Sequence, residues 1–139
     1  MSSNDRSDSI LDASRVQSAS SKTAVTCMIV EDEAMIALAL EDDLRDAGYD
    51  IVGPFATCAA ALQSLKQARP GVAVLDTVLK DGSCLELARE LTDLGVPFLI
   101  YSGRDGKHED APEFAGVPWV AKPALQQTVV NAVRKLTRR

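Results

Sequence analysis

The stretch TCMIVEDEAMIALAL, residues 26–40, decides the fold. A short apolar run rich in β-branched residues stops at three carboxylates, Glu31, Asp32 and Glu33. A second apolar run then begins at once, with Ile36 and Leu40 at helical spacing. The first run does not alternate with polar residues, which is the pattern of a strand buried on both faces. Like charges crowded at the end of such a strand repel one another, so they need a neutralising partner.

The same sequence of run, break and helical pattern recurs along the chain. Apolar, β-branched runs fall at 25–30, 51–53, 72–75, 96–101 and 117–120. Between them, 34–47 carries Ile36, Leu40, Leu44 and Ala47 at helical spacing, with Gly48 as the stop. Segment 57–68 starts at Thr57, a candidate cap, sets Ala61, Leu65 and Ala68 on one face, and ends at Pro70-Gly71. Segment 83–94 has Ser83 as its candidate cap, Leu87, Leu91 and Leu94 inward, and Gly95 as the stop. Segment 124–136 lines up Leu125, Val129, Val133 and Leu136. The fourth helical slot, 103–118, reads GRDGKHEDAPEFAGVP and has only Phe114 as a large apolar anchor, so a short or frayed helix is expected there. Five strands alternating with helices imply a doubly wound α/β fold with a parallel five-stranded sheet and right-handed crossovers.

Composition narrows the class. The chain has 139 residues, 46% hydrophobic and 25% charged, enough for one domain with a single core. No apolar run approaches the ~20 residues of a membrane span, and the Ser-rich start has no apolar signal region, so no membrane contact and a cytoplasmic location are expected. Residues 1–22 hold eight serines and read as a flexible extension ahead of a domain over 23–139. Cys27, Cys58 and Cys84 lack metal-ligand or redox spacing and read as reduced, packed thiols. The first 22 residues are charge-balanced and the last six carry four bases, which leaves 17 acids against 8 bases in the body, a net of −9. That balance argues against a nucleic-acid partner. The basic tail reads as a favourable helix C-terminus.

In a doubly wound sheet, chemistry sits beyond the carboxyl ends of the strands. Collected there are Glu31 and Asp32 after strand one, Asp76 after VAVL, Ser102 in FLIYSG, and Lys122 in WVAKP. Three carboxylates beside one ammonium call for a further cation, and Mg²⁺ suits an oxygen-donor site that shares its shell with a phosphate. A hydroxyl and an ammonium across from it suit a phosphoryl group. With no glycine-rich phosphate loop, a carboxylate itself is the candidate phosphate acceptor.

IVEDE, VLD, YSG and AKP, in this order on alternating strands, resemble the receiver domain of bacterial two-component response regulators, over roughly residues 24–137. The resemblance implies a flavodoxin-like (βα)5 fold with strand order 2-1-3-4-5, and phosphoryl transfer from the phosphohistidine of a sensor histidine kinase. Position by position it implies Asp76 as phosphoacceptor, Asp32 as direct Mg²⁺ ligand and Glu31 as the second acid, acting through water. It implies the Val78 backbone carbonyl as third protein ligand, Ser102 as the switch hydroxyl, and Lys122 as the phosphate-binding lysine before an often cis Pro123. Trp119 stands at the aromatic switch position, and the plain alternative for it is core packing. Val78 and Arg104 occupy positions that tune acyl-phosphate lifetime. VPFLIYSGRD resembles a subgroup that pairs with kinases of the HWE or HisKA_2 type.

Other residues carry plainer readings. Glu33 reads as a first-turn helix charge with no part in the site. Glu41, Asp42 and Asp43 read as a solvated face, and His108, the only histidine, as a surface residue of a polar loop. The expected function is therefore a single-domain response regulator, a phosphoacceptor and not a turnover enzyme, with a downstream protein or a histidine phosphotransfer partner. The alternatives are a docking module that never takes phosphate, an Asp-nucleophile phosphatase and a flavin carrier. The phosphatase would need an acid where Val78 stands, and the flavin carrier a phosphate loop after strand one.

Overall fold

The computed structural model describes residues 24–103 and 112–138. Five parallel strands form one sheet: β1 Thr26–Val30, β2 Asp50–Phe55, β3 Val72–Leu75, β4 Phe98–Ser102 and β5 Trp119–Ala121. Their spatial order is β2-β1-β3-β4-β5, the expected order. Helices α1 Ala34–Asp46, α2 Cys58–Leu65, α3 Leu85–Asp93 and α4 Gln126–Thr137 complete the layers. In the fourth helical slot the described residues hold only a 3-10 turn, Pro112–Phe114. His108 and Arg104 lie outside the described residues, as does the extension over 1–22.

The strands sort their side chains by period two. Met28, Val30, Ala73, Leu75, Phe98 and Ile100 face α2 and α3. Cys27, Ile29, Val72, Val74, Leu99 and Tyr101 face α1 and α4. Both sets are buried, which is why these runs are continuous in sequence, and each Val, Leu, Ile, Met or Phe among them contributes about 1.5–3 kcal/mol. All three cysteines are buried and none is in a disulfide, as expected, and burial pushes the Cys27 thiol up to about 12.

The helix boundaries follow local chemistry. Thr57 caps α2 by accepting from the Ala60 N–H at 3.1 Å. Past α1, Gly48 adopts φ +100°, the conformation that stops a helix. Two expectations are corrected. Ser83 does not stand at the cap of α3: it pairs with Val78 in a two-stranded antiparallel ribbon, Val78–Leu79 with Gly82–Ser83, and Cys84 takes the N-cap position. Leu125 does not join the buried face of α4: it stands at the N-cap and is 79% exposed, while Val129, Val130 and Val133 are buried. Strand β2 also runs two residues past the expected 51–53, through Gly53-Pro54 to Phe55. An edge strand tolerates a proline because the missing N–H faces outward.

Candidate functional site

The parallel sheet delivers its residues to one rim. The Glu31 N–H donates to the Phe55 carbonyl at 2.8 Å, and the Asp76 N–H to the Val30 carbonyl at 3.0 Å, so the ladders run on into the site. The Lys122 N–H donates to the Ser102 carbonyl at 2.8 Å in the same way. The Lys122–Pro123 peptide is cis.

Glu31, Asp32 and Asp76 each offer a carboxylate oxygen, and these atoms all lie within 4.8 Å of one another. Glu31 and Asp76 are buried and Asp32 is half-buried. An oxygen-only donor set of this charge fits a hard divalent cation. The Lys122 ammonium stands 2.8 Å from Glu31 Oε1, 3.0 Å from Asp76 Oδ2 and 3.3 Å from Glu33 Oε1. Glu33 is thus not the bystander its first-turn position implies. It is the N-cap residue of α1, its N–H donates to Glu31 Oε2 at 3.1 Å, and its carboxylate is the lysine's solvent-side partner.

Desolvation raises the Glu31 carboxyl above its ordinary range, although the bonds from Lys122 and the Glu33 N–H oppose the shift. Desolvation works to lower Lys122, but its bonds to Glu31 and Asp76 outweigh it and hold the ammonium well above the ordinary lysine range. The lysine ring of contacts closes with Tyr101, whose ring centroid is 5.6 Å from Nζ.

Ser102 is buried, and its hydroxyl lies 2.8 Å from the hydroxyl of Thr77. Val78 sits on the ribbon two residues beyond Asp76 with its side chain 45% exposed. Trp119 is half-buried on β5 against the α2/α3 side of the core, edge-to-face with Phe114 at 5.9 Å between centroids. The segment after Asp76 is anchored by Asp81, whose carboxylate oxygens accept from the Cys58 N–H at 2.8 Å and the Ala59 N–H at 3.0 Å. These bonds hold the Asp81 carboxyl below its ordinary range.

Thr77, Tyr101, Asp81 and the role of Glu33 were absent from the sequence reading. For Thr77 and Tyr101 the only available signal was adjacency to Asp76 and Ser102. For Asp81 and Glu33 the partners lie 22 or more residues away, and no local pattern reports them.

A rim of this composition on this topology marks a receiver, and comparison with known proteins agrees. The response regulator receiver domain model matches residues 27–134, and the chain belongs to that family. It is 30% identical over 119 residues to the probable transcriptional regulatory protein TcrX of Mycobacterium tuberculosis, an alignment covering 83% of this chain and 50% of TcrX. The chain therefore spans about half the length of that relative. Among solved structures it is similar to the receiver domain of the PhyR response regulator of Erythrobacter litoralis, with 28% identity, a TM-score of 0.74, and 84% and 92% of the two chains covered. It is also similar to SdrG from Sphingomonas melonis Fr1, with 31% identity, a TM-score of 0.70, and 81% and 96% covered.

Proposed function

We propose that this chain is a phosphoacceptor: Asp76 takes a phosphoryl group from the phosphohistidine of a sensor kinase, and the chain signals through a protein contact. The observation that carries the reading is the Lys122 ammonium shared between Asp76 and Glu31, beside Asp32, at the carboxyl rim of the sheet. Glu31, Asp32, Asp76 and the Val78 carbonyl would hold Mg²⁺. Bound there, the ion would neutralise charge on the transferring phosphoryl group.

In the transfer, an Asp76 carboxylate oxygen forms a bond to phosphorus as the donor's N–P bond breaks. The electron pair stays with the imidazole nitrogen, which takes up a proton. Lys122, already 3.0 Å from Asp76 Oδ2, compensates charge on the phosphoryl oxygens, and Ser102 donates to one of them. Movement of Ser102 toward the phosphoryl group and of Trp119 inward would reshape the face from β4 to α4. Val78, and Arg104 by its position in sequence, would tune the lifetime of the acyl phosphate. The chain's own chemistry would be limited to accepting and losing the phosphoryl group, without turnover of a substrate.

Exposed apolar side chains flank the rim. Met35 and Leu38 on α1 and Leu125 before α4 are 82%, 57% and 79% exposed. Between the two helices lies a groove of about 250 Å³ floored by Ile36, Leu40 and Tyr101. It opens at Tyr101 and Ala124, next to Lys122, and is assigned here to the contact with the phosphoryl donor. We extend the donor to an HWE or HisKA_2 kinase on the pattern of residues 96–105, and the output to a downstream protein or histidine phosphotransfer partner. A single-domain regulator, working in the cytoplasm beside such partners, completes the reading. Among the described residues no helix is long and apolar enough to cross a membrane.

Incubation with an autophosphorylated kinase of that type tests the reading. Label should move to the chain and be released by hydroxylamine, which cleaves acyl phosphates. Label resistant to hydroxylamine would contradict it.

A further inference from the structure

Thr77 follows the acceptor position directly and is 3% exposed. Its Oγ1 lies 2.8 Å from the Oγ of Ser102, which is 1% exposed. The backbone of Thr77 is held on both sides. Its N–H donates to Asp76 Oδ1 at 2.7 Å, and its carbonyl accepts from the Cys84 N–H at 3.2 Å. Thr77 is therefore tied through its backbone to the loop that carries the acceptor, while Ser102 belongs to β4. The Asp76 carboxylate, meanwhile, is engaged by the N–H groups of Thr77 and Val78 and by Lys122.

A serine hydroxyl has one proton, and a phosphoryl oxygen offers none, so Ser102 must donate to reach it. Either hydroxyl can be the donor in the present bond. Carrying Oγ away from Thr77 to the phosphoryl group, by rotation about its one side-chain torsion, breaks that bond whichever way it points. We propose that Thr77 is a latch: its hydroxyl holds Ser102 in the resting position, and breaking that bond is part of the cost of the phosphorylated state. The inference rests on the phosphoacceptor reading of Asp76. Thr77 acts through Ser102 and is a positioning residue.

Titration of the full chain with beryllium fluoride and Mg²⁺, followed by ¹⁹F NMR, tests the latch. Beryllium fluoride stands in for the phosphoryl group on the acceptor carboxylate. Thr77→Val, which removes the hydroxyl at nearly constant shape, should bind about three- to tenfold more tightly than wild type, the range of one neutral hydrogen bond. Thr77→Ala should shift in the same direction, which guards against a packing defect peculiar to valine. Thr77→Ser should return to the wild-type affinity. In a Ser102→Ala background, Thr77→Val should change nothing, a result that a merely structural role would not produce. Unchanged or weaker binding by Thr77→Val, or the same gain without Ser102, overturns the latch. Failure of the wild-type chain to bind at all overturns the phosphoacceptor reading instead.

Discussion

The Lys122 ammonium donates to Asp76 Oδ2 at 3.0 Å across 46 positions of sequence, and the same ammonium stands 2.8 Å from Glu31 Oε1. One cation thus holds together carboxylates delivered by β1 and β3. The ammonium offsets part of the charge of the acidic cluster, and a metal held by Glu31, Asp32 and Asp76 would share these oxygens with the lysine.

Removal of that cation should leave two buried carboxylates facing each other. Lys122→Ala is expected to lower unfolding stability by about 3–5 kcal/mol, because an uncompensated buried charge costs more than the pair gains. Mg²⁺ should restore more of the loss in the variant than it adds to wild type. Urea unfolding with and without Mg²⁺ measures both quantities. A variant as stable as wild type in the absence of Mg²⁺ would show that Lys122 is not the resting counterion.

The same contacts set a pH dependence. Lys122 is raised above its ordinary 10.5, so the folded chain keeps this proton after the unfolded chain has lost it. Its contribution to stability is complete below pH 10.5 and declines as pH rises toward the folded value. Glu31 is raised above its ordinary 4.5, so its contribution likewise falls as pH rises from there. Chemical denaturation from pH 9 upward should show alkaline loss of stability that is smaller in Lys122→Met. Identical slopes for the two proteins would contradict the assignment.

Gly53 offers a test away from the rim. Its φ is +98°, and an added Cβ would stand 2.8 Å from the Ile29 carbonyl oxygen and 2.9 Å from the Phe55 nitrogen. Both obstacles are backbone, so neither can swing aside. Gly53→Ala should cost about 2 kcal/mol or more by thermal or urea unfolding. Gly48→Ala meets no atom within 4 Å and should lose less, the left-handed conformation being its only cost.

How much of this was legible in the sequence depends on whether the cause was local. Strands β1, β3 and β4 were read because burial on both faces leaves an uninterrupted apolar run, as in Val72–Leu75. The Thr57 cap was read because its partner, Ala60, is three residues away. Ser83 has the composition of a cap, while its actual partner, Val78, belongs to a ribbon of two residues a side, too short to show a period. Leu125 fits the helical period but falls just before the helix begins. At the rim, residue types named Glu31, Asp32, Asp76, Ser102 and Lys122, and topology gathered them. The bonds of Glu33 to Lys122 and of Thr77 to Ser102 depend on side-chain directions at strand ends, which no periodicity encodes.

The central claim is that Asp76 accepts a phosphoryl group. Incubation with acetyl phosphate and Mg²⁺, followed by intact mass, tests it most directly. The account predicts that the chain gains one phosphoryl group, that chelation of Mg²⁺ prevents the gain, and that Asp76→Asn abolishes it. A wild-type chain that gains none, or an Asp76→Asn chain that still does, would contradict it.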